Sequence, residues 1–179
     1  YNDKGDCMRI ISGKYKGKIL KGFQIEGTRP TMDRVKESLF GMIQNYIPGS
    51  VCLDLFAGSG ALGIEALSNG AEKCYFIDHN SIVIKTLQQN LKQIDGGIII
   101  KEDYQKFLNT ISDQFDIIFL DPPYQDNLIS ICLKTIEEKN LLSPSGIVVC
   151  EYESEIFESN MTIIKEKKYG SKWIRIYKK

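Results

Sequence analysis

From Val51 to Cys150 the chain alternates short apolar runs with stretches of helical period, and this alternation restricts the fold more than any other feature. Val51 to Leu55, Cys74 to Ile77, Gly97 to Ile100, Phe115 to Leu120 and Ile147 to Cys150 read as buried strands. Between them lie helical patterns over Ala61 to Ser68, Tyr104 to Ile111 and Leu128 to Lys139, and another that carries Val83, Leu87, Leu91 and Ile94 behind an Asn80 cap. Strands joined through helices pair in parallel and need helices on both faces of the sheet. Met161 to Lys167 and Trp173 to Tyr177 flank a Gly170-Ser171 turn and predict a closing antiparallel hairpin. The expectation is an α/β fold with a seven-stranded, mostly parallel sheet. Ligands on such sheets bind outside the carboxyl ends of the strands, near the switch in strand order.

Ahead of this core, Arg9 to Ser12 and Lys18 to Lys21 read as two short strands around Gly13-Lys14-Tyr15-Lys16-Gly17, a basic hairpin. Thr31 after Pro30 is an N-cap candidate, with Asp33 in the first turn. Met32, Val35, Leu39, Met42, Ile43 and Tyr46 then recur at helical spacing until Pro48-Gly49. Residues 1–7 are polar and patternless, and Met8 reads as the natural start, so they are left out of the fold. The expected organisation is a hairpin extension over residues 8–30 and a main domain over residues 31–179.

Net charge is zero, yet the charge is segregated. Arg9, Lys14, Lys16, Lys18, Lys21, Arg29, Arg34 and Lys36 crowd the front, and Lys165, Lys167, Lys168, Lys172, Arg175, Lys178 and Lys179 crowd the tail. Segregation of this kind can form a polyanion footprint at zero total charge, and a solvated face is the plainer alternative. The five cysteines include no close pair and read as buried reduced thiols. His79 is the only histidine, so no metal centre is expected. No apolar run approaches the ~20 residues that span a bilayer. A soluble cytoplasmic monomer is the expectation.

Asp54-Leu55-Phe56-Ala57-Gly58-Ser59-Gly60-Ala61-Leu62-Gly63 follows the first strand of the alternation. Gly58 and Gly60 allow a tight turn and close backbone approach to a ligand. This is also a G-x-G-x-x-G pattern with Asp78 at a suitable distance, so a dinucleotide site is a rival reading. Asp54 favours another ligand, since a carboxylate at that strand end can hold the amino group of a methionine moiety. Asp78, closing the next strand, can accept both hydroxyls of a ribose, or simply serve the helix start behind it. Glu102-Asp103 offers a carboxylate where an adenine N6 can be read, although Asp103 can equally cap the following helix.

Asp121-Pro122-Pro123-Tyr124 follows the fourth strand and is the sharpest motif. Two prolines fix φ and lack N–H donors, which leaves a stiff loop with free carbonyls. The Asp121 carboxylate and the Pro122 carbonyl can each accept an N–H bond from an amine, and Tyr124 can stack on a flat base. Such a site suits in-line methyl transfer to an exocyclic amine, with Asp121, Pro122 and Tyr124 as the catalytic candidates.

With these residues in place the chain resembles the class I S-adenosylmethionine-dependent methyltransferases, and in particular the bacterial 16S rRNA guanine-N2 methyltransferases. The match runs through Met8 to Lys18, Thr28 to Phe40, Leu53 to Leu67 and Phe119 to Tyr124. The Arg29-Pro30-Thr31 to Phe40 block is the family-specific part, with Met32 where a second Thr is expected and Ser12 where Gly is usual. The resemblance implies a Rossmann-like methyltransferase fold, S-adenosylmethionine as cofactor, and a guanine of 16S rRNA in a 30S subunit or assembly intermediate as substrate. Asp54, Phe56, Gly58, Gly60, Asp78, Asp103 and Asp121 are then the cofactor-binding candidates, and Arg9, Lys14, Lys16, Lys18, Arg29 and Arg34 the RNA-binding ones. DNA adenine-N6 and protein-glutamine methyltransferases share Asp121-type chemistry. The former usually carry a separate recognition domain, and the latter favour Asn at the first motif position and a helical N-terminal domain. An NAD-binding oxidoreductase would use the Gly58 loop but has no need of Asp121 to Tyr124.

Overall fold

The computed structural model describes residues 8–22, 33–123, 127–154 and 158–179. A two-stranded antiparallel ribbon, β1 (Met8–Arg9) and β2 (Ile19–Leu20), precedes α1 (Asp33–Ile43) and a 3-10 turn (Gln44–Tyr46). The alternating core follows as β3 (Val51–Asp54), α2 (Ala61–Ser68), β4 (Lys73–Asp78), α3 (Ser81–Asn90), β5 (Gly97–Lys101), α4 (Tyr104–Thr110), β6 (Phe115–Leu120), α5 (Leu128–Glu138) and β7 (Leu142–Tyr152). β8 (Thr162–Tyr169) and β9 (Lys172–Lys178) close the chain.

The seven-stranded sheet has the order β5-β4-β3-β6-β7-β9-β8. The first five strands in that order are parallel, and β9 is antiparallel to both β7 and β8. The seven-stranded, mostly parallel sheet expected from the alternation is therefore observed, and the fold is Rossmann-like as the resemblance implies. Strand order reverses between β3 and β6, which puts the ends of these two strands at the switch point.

Period-two alternation sorts the strand residues onto two cores. Cys52, Cys74, Phe76, Ile117, Phe119 and Val149 pack with Leu39 and Phe40 of α1, Ile64 and Leu67 of α2 and Leu87 of α3. Leu53, Ile77, Ile118, Leu120, Val148 and Cys150 pack with Phe107 of α4 and Ile129, Leu133 and Ile136 of α5. Burial on both faces is why these strands read as continuous apolar runs. Cys52, Cys74, Cys132 and Cys150 are buried free thiols, as expected, whereas Cys7 lies outside the described residues. Among the described residues no helix is long and apolar enough to cross a membrane.

Two segments depart from the sequence reading. The strand expected over Ile147 to Cys150 begins earlier, so that Ser143-Pro144-Ser145-Gly146 lies inside β7, where pairing with β6 slips between Phe115↔Leu142 and Ile117↔Ile147. The Asp116 carboxylate holds this irregularity by accepting the Ser143 hydroxyl (2.8 Å) and the Val51 N–H (2.8 Å). The N-terminal ribbon is also shorter than expected, because Ile11 and Ser12 pair with α2 instead of extending β1. Their N–H groups donate to the Glu65 carboxylate at 2.9–3.1 Å. The Gly13 backbone turns through φ +81°, and a Cβ there would lie 1.9 Å from the Ser68 carbonyl oxygen, so only glycine fits. Lys14 N–H donates to that same carbonyl at 2.7 Å.

Lys36 corrects the sequence reading of the front charges. It is not part of a surface cluster: its side chain and that of Glu65 are each 1% exposed, with Nζ 3.2 Å from Oε2. Lys36 Nζ also donates to the Arg9 carbonyl at 2.6 Å. α2 is thereby buried along its whole length, between the sheet and the N-terminal ribbon. Removing one member of a buried pair leaves an uncompensated charge. Lys36→Met is expected to lower stability by about 3–5 kcal/mol. Adding Glu65→Gln should recover part of that loss, as read from urea unfolding midpoints.

Candidate active site

The carboxyl ends of β3, β4, β5 and β6 converge on one edge of the sheet, and each delivers a residue singled out from the sequence. The loop after β3 is tied to both neighbouring strands. Leu55 N–H donates to the Phe119 carbonyl (3.3 Å), and Ala57 N–H donates to that of Ile77 (3.0 Å). Gly58 and Gly60 both adopt left-handed φ, +54° and +82°. A Cβ on Gly60 would meet Leu87 Cδ1 at 2.5 Å, so this glycine answers to the turn and the α3 packing behind it. Gly63 packs α2 against β4, since a Cβ there would lie 2.4 Å from the Phe76 ring.

The carboxylates divide into one beneath the loop and others facing the edge. Asp54 is 2% exposed and accepts the Gly63 N–H at 3.0 Å, so it anchors the first turn of α2 from below. Burial pushes its pKa from 3.8 up to about 7; the Gly63 bond opposes that rise and the nearby Asp78 charge adds to it. Asp78 is half-buried at the end of β4, where one oxygen accepts the Gly58 N–H (3.3 Å) and the other the Asn80 N–H (2.9 Å). Both functions weighed for Asp78 are compatible with this geometry, because each carboxylate oxygen retains a second lone pair. Phe56 and Tyr104 form a tilted aromatic pair with centroids 5.1 Å apart. Asp103 caps α4 by accepting the Gln105 and Lys106 N–H groups, and Glu102 pairs with Lys106 at 2.8 Å. Asp121 and Pro122 are half-buried directly after β6, and Pro123 is exposed. Tyr124 lies outside the described residues.

The basic candidates are distributed differently from the sequence picture. Arg9 pairs with Asp33 at 3.0 Å, Lys14 pairs with Asp95 at 3.2 Å, and Lys18 Nζ donates to the Lys92 carbonyl. Lys16 is exposed on the ribbon and Arg34 on the first turn of α1, while Arg29 lies outside the described residues. The tail cluster divides: Lys172 and Arg175 are paired within the fold, whereas Lys165, Lys167, Lys168 and Lys179 are exposed. Lys172 pairs with Glu151, Arg175 with Glu166, and Lys168 lies over the Trp173 ring.

Two polar residues that sequence reading passed over organise the site from within. Glu65 sits in the otherwise apolar Ala61 to Leu67 helix. Asn90, 3% exposed, falls seven residues after Val83 on the buried face of α3. A polar residue at a core position of an amphipathic helix was the available signal in both cases.

Comparison with known proteins places this geometry among related chains. The family described as Conserved hypothetical protein 95 matches residues 8–178. The ribosomal RNA small subunit methyltransferase D of Haemophilus influenzae is 40% identical, across 98% of this chain and 95% of its own length. The protein of the same description from Escherichia coli is 33% identical, across 96% of this chain and 90% of its own. The solved structure of Escherichia coli yhhF aligns with a TM-score of 0.85 at 29% identity, covering 96% of this chain and 97% of that one.

The elevated Asp54 pKa has a consequence for stability. The folded chain holds this proton more tightly than the unfolded chain does, so stability falls as pH rises from about 4 to about 7 and is level above that. Asp54→Asn keeps an oxygen for the Gly63 N–H and does not titrate. The stability of Asp54→Asn relative to the parent chain should therefore increase between pH 5 and pH 8, measured by denaturant unfolding at each pH.

Proposed function

The chain belongs to the Conserved hypothetical protein 95 family and to that of the ribosomal RNA small subunit methyltransferase D proteins, and we propose that it transfers a methyl group from S-adenosylmethionine to the exocyclic N2 amine of a guanine in 16S rRNA. One observation carries the proposal: the glycine loop after β3 and the Asp121-Pro122-Pro123 segment after β6 leave neighbouring strands at the reversal of strand order, where Leu55 N–H donates to the Phe119 carbonyl of β6. A donor and an acceptor bound to these two segments share one edge of the sheet.

The residues present fit the cofactor. Two consecutive left-handed glycine turns bring backbone close to the edge, Asp78 faces it with lone pairs to spare, and the Phe56–Tyr104 pair supplies an apolar wall. Asp54 lies beneath the loop, where its carboxylate sets the loop and offers the negative charge a methionine ammonium requires. Asp103 contributes at the end of β5 through its position at the start of α4. S-adenosylmethionine supplies an electrophilic methyl group on a sulfonium.

The acceptor side is the work of Asp121, Pro122 and Tyr124. The Asp121 carboxylate and Pro122 carbonyl accept the two N–H groups of the guanine amine, which directs its nitrogen lone pair toward the donor. Tyr124 stacks on the base. As the new N–C bond forms, the methyl–sulfonium bond would break and leave S-adenosylhomocysteine, and the nitrogen would shed one proton to the Asp121 carboxylate or to solvent. Arg9, Lys14, Lys16, Lys18, Arg29 and Arg34 hold RNA phosphates of the 30S particle, with the protein acting as a monomer. Exposed ion pairs such as Arg9–Asp33 and Lys14–Asp95 are screened by water and contribute little, so exchange for phosphate costs little.

The direct test is incubation of the protein with labelled methyl donor and 30S particles from a strain lacking its own enzyme, followed by nucleoside analysis. N2-methylguanosine is expected; label in N6-methyladenosine, or none, overturns the proposal. Asp121→Ala should lower kcat by about 10²-fold or more while S-adenosylhomocysteine affinity holds within about twofold. Equal loss of both would make Asp121 a cofactor or folding residue. Lys16→Gln should weaken RNA binding and reduce the slope of log K against log salt by about 0.7–0.9. An unchanged slope removes Lys16 from the phosphate contacts.

A further inference from the structure

One buried side chain joins the glycine loop to the chain leaving the N-terminal ribbon. Asn90, the last residue of α3, donates from Nδ2 to the Ser59 carbonyl at 2.8 Å and to the Lys21 carbonyl at 2.9 Å. Its Oδ1 accepts the Lys21 N–H at 2.8 Å. The amide therefore grips Lys21 by both backbone groups, as a neighbouring strand would, and uses its remaining donor on the peptide between Gly58 and Gly60. The two donors and the carbonyl lie in one rigid plane, so a rotation that improves one of these bonds lengthens the others. A second contact runs in parallel: Ser59 Oγ lies 3.7 Å from Met8 Sδ, so β1 also touches the loop. At the surface, Lys21 Nζ donates to Gln89 Oε1 at 3.0 Å and Lys18 Nζ to the Lys92 carbonyl, which secures the same exit to the end of α3.

Packing alone gives no reason for asparagine here. The position is 3% exposed and belongs to the apolar face that carries Val83 and Leu87, where an aliphatic residue would suffice. What the amide adds is a defined relation between Ser59 in the cofactor loop and Lys21 at the end of the ribbon. We infer that Asn90 is a positioning residue that couples the donor loop to the ribbon exit, so that cofactor and RNA bind cooperatively. A ligand that fixes the Gly58–Gly60 peptides fixes the Ser59 carbonyl, which sets the Asn90 plane, which in turn orders Lys21. Ordering done by the first ligand is not repeated by the second, and the resulting coupling is reciprocal. The RNA half of this inference rests on the function proposed above; the link between loop and ribbon does not.

The experiment measures affinity for 30S particles with and without S-adenosylhomocysteine, and affinity for S-adenosylhomocysteine with and without 30S particles. The parent chain should show the same enhancement both ways, about fivefold or more. In Asn90→Ala and Asn90→Asp the enhancement should fall to about one, with both binary affinities still measurable. Asn90→Asp keeps the side-chain volume and the acceptor for the Lys21 N–H but turns a carboxylate oxygen toward the Ser59 and Lys21 carbonyls, so it breaks both donated bonds without loss of packing volume. Hydrogen exchange on the parent chain needs neither variant nor RNA: S-adenosylhomocysteine should slow exchange of the amides of residues 18–22, and this slowing should vanish in Asn90→Asp. Unchanged exchange in the parent chain, or an enhancement that persists in both variants, overturns the inference. Slowed exchange without any binding of 30S particles would overturn the RNA half together with the functional proposal, and would uphold the link.

Discussion

The buried Lys36–Glu65 pair is the interaction on which the arrangement of the molecule depends. Taking two charges out of water is costly, and the cost is tolerable only where geometry and further hydrogen bonds satisfy both groups. Here the Glu65 carboxylate takes bonds from the Ile11 and Ser12 N–H groups and the Ser12 hydroxyl as well as from Lys36. Lys36 completes its own set with the Arg9 carbonyl. Three segments that sequence separates, the ribbon, α1 and α2, are thus held at one point. α2 is also the helix that begins directly after the glycine loop, so the ribbon and the loop belong to one packed body.

That arrangement changes the meaning of the N-terminal ribbon. An extension tethered only by its chain would leave the distance between its basic residues and the methyl donor undefined. Instead Ser12, Gly13, Lys14 and Tyr15 sit on the end of α2, and Lys18 and Lys21 on the end of α3. Gly13 allows the first of these contacts because no side chain could occupy the space beside the Ser68 carbonyl. The basic residues of the ribbon therefore stand at a set distance from the strand ends.

The aspartates illustrate how burial assigns different tasks to one side-chain type. Asp54 and Asp116 answer to backbone: the first accepts the Gly63 N–H, the second the Val51 N–H and the Ser143 hydroxyl. Asp78 and Asp121 are half-buried at the strand ends, where a carboxylate can serve the fold and still face a ligand. The basic residues divide in a similar way. Lys36 and Lys172 are paired inside the fold with Glu65 and Glu151, whereas Lys16 and Arg34 are exposed on the ribbon and α1.

The sequence by itself determined the order of strands and helices, the mostly parallel sheet, the two glycine turns after β3 and the Asp121 segment after β6. Each is a local matter: apolar period, φ preference and turn chemistry are written in neighbouring residues. It also carried the family through contiguous motifs. It did not reveal that Glu65, Lys36, Asn90 and Asp116 act as internal fasteners, because their partners lie tens of residues away and charge or polarity alone reads as surface. Nor did it reveal that Ser143 to Gly146 continues a strand, since the Asp116 bond that stabilises the slipped register comes from β6. Tertiary structure decided which carboxylates lie beneath the glycine loop and which face the edge, and which cations remain outside. Those outcomes depend on desolvation and on partners brought together only when the two faces of the sheet are covered.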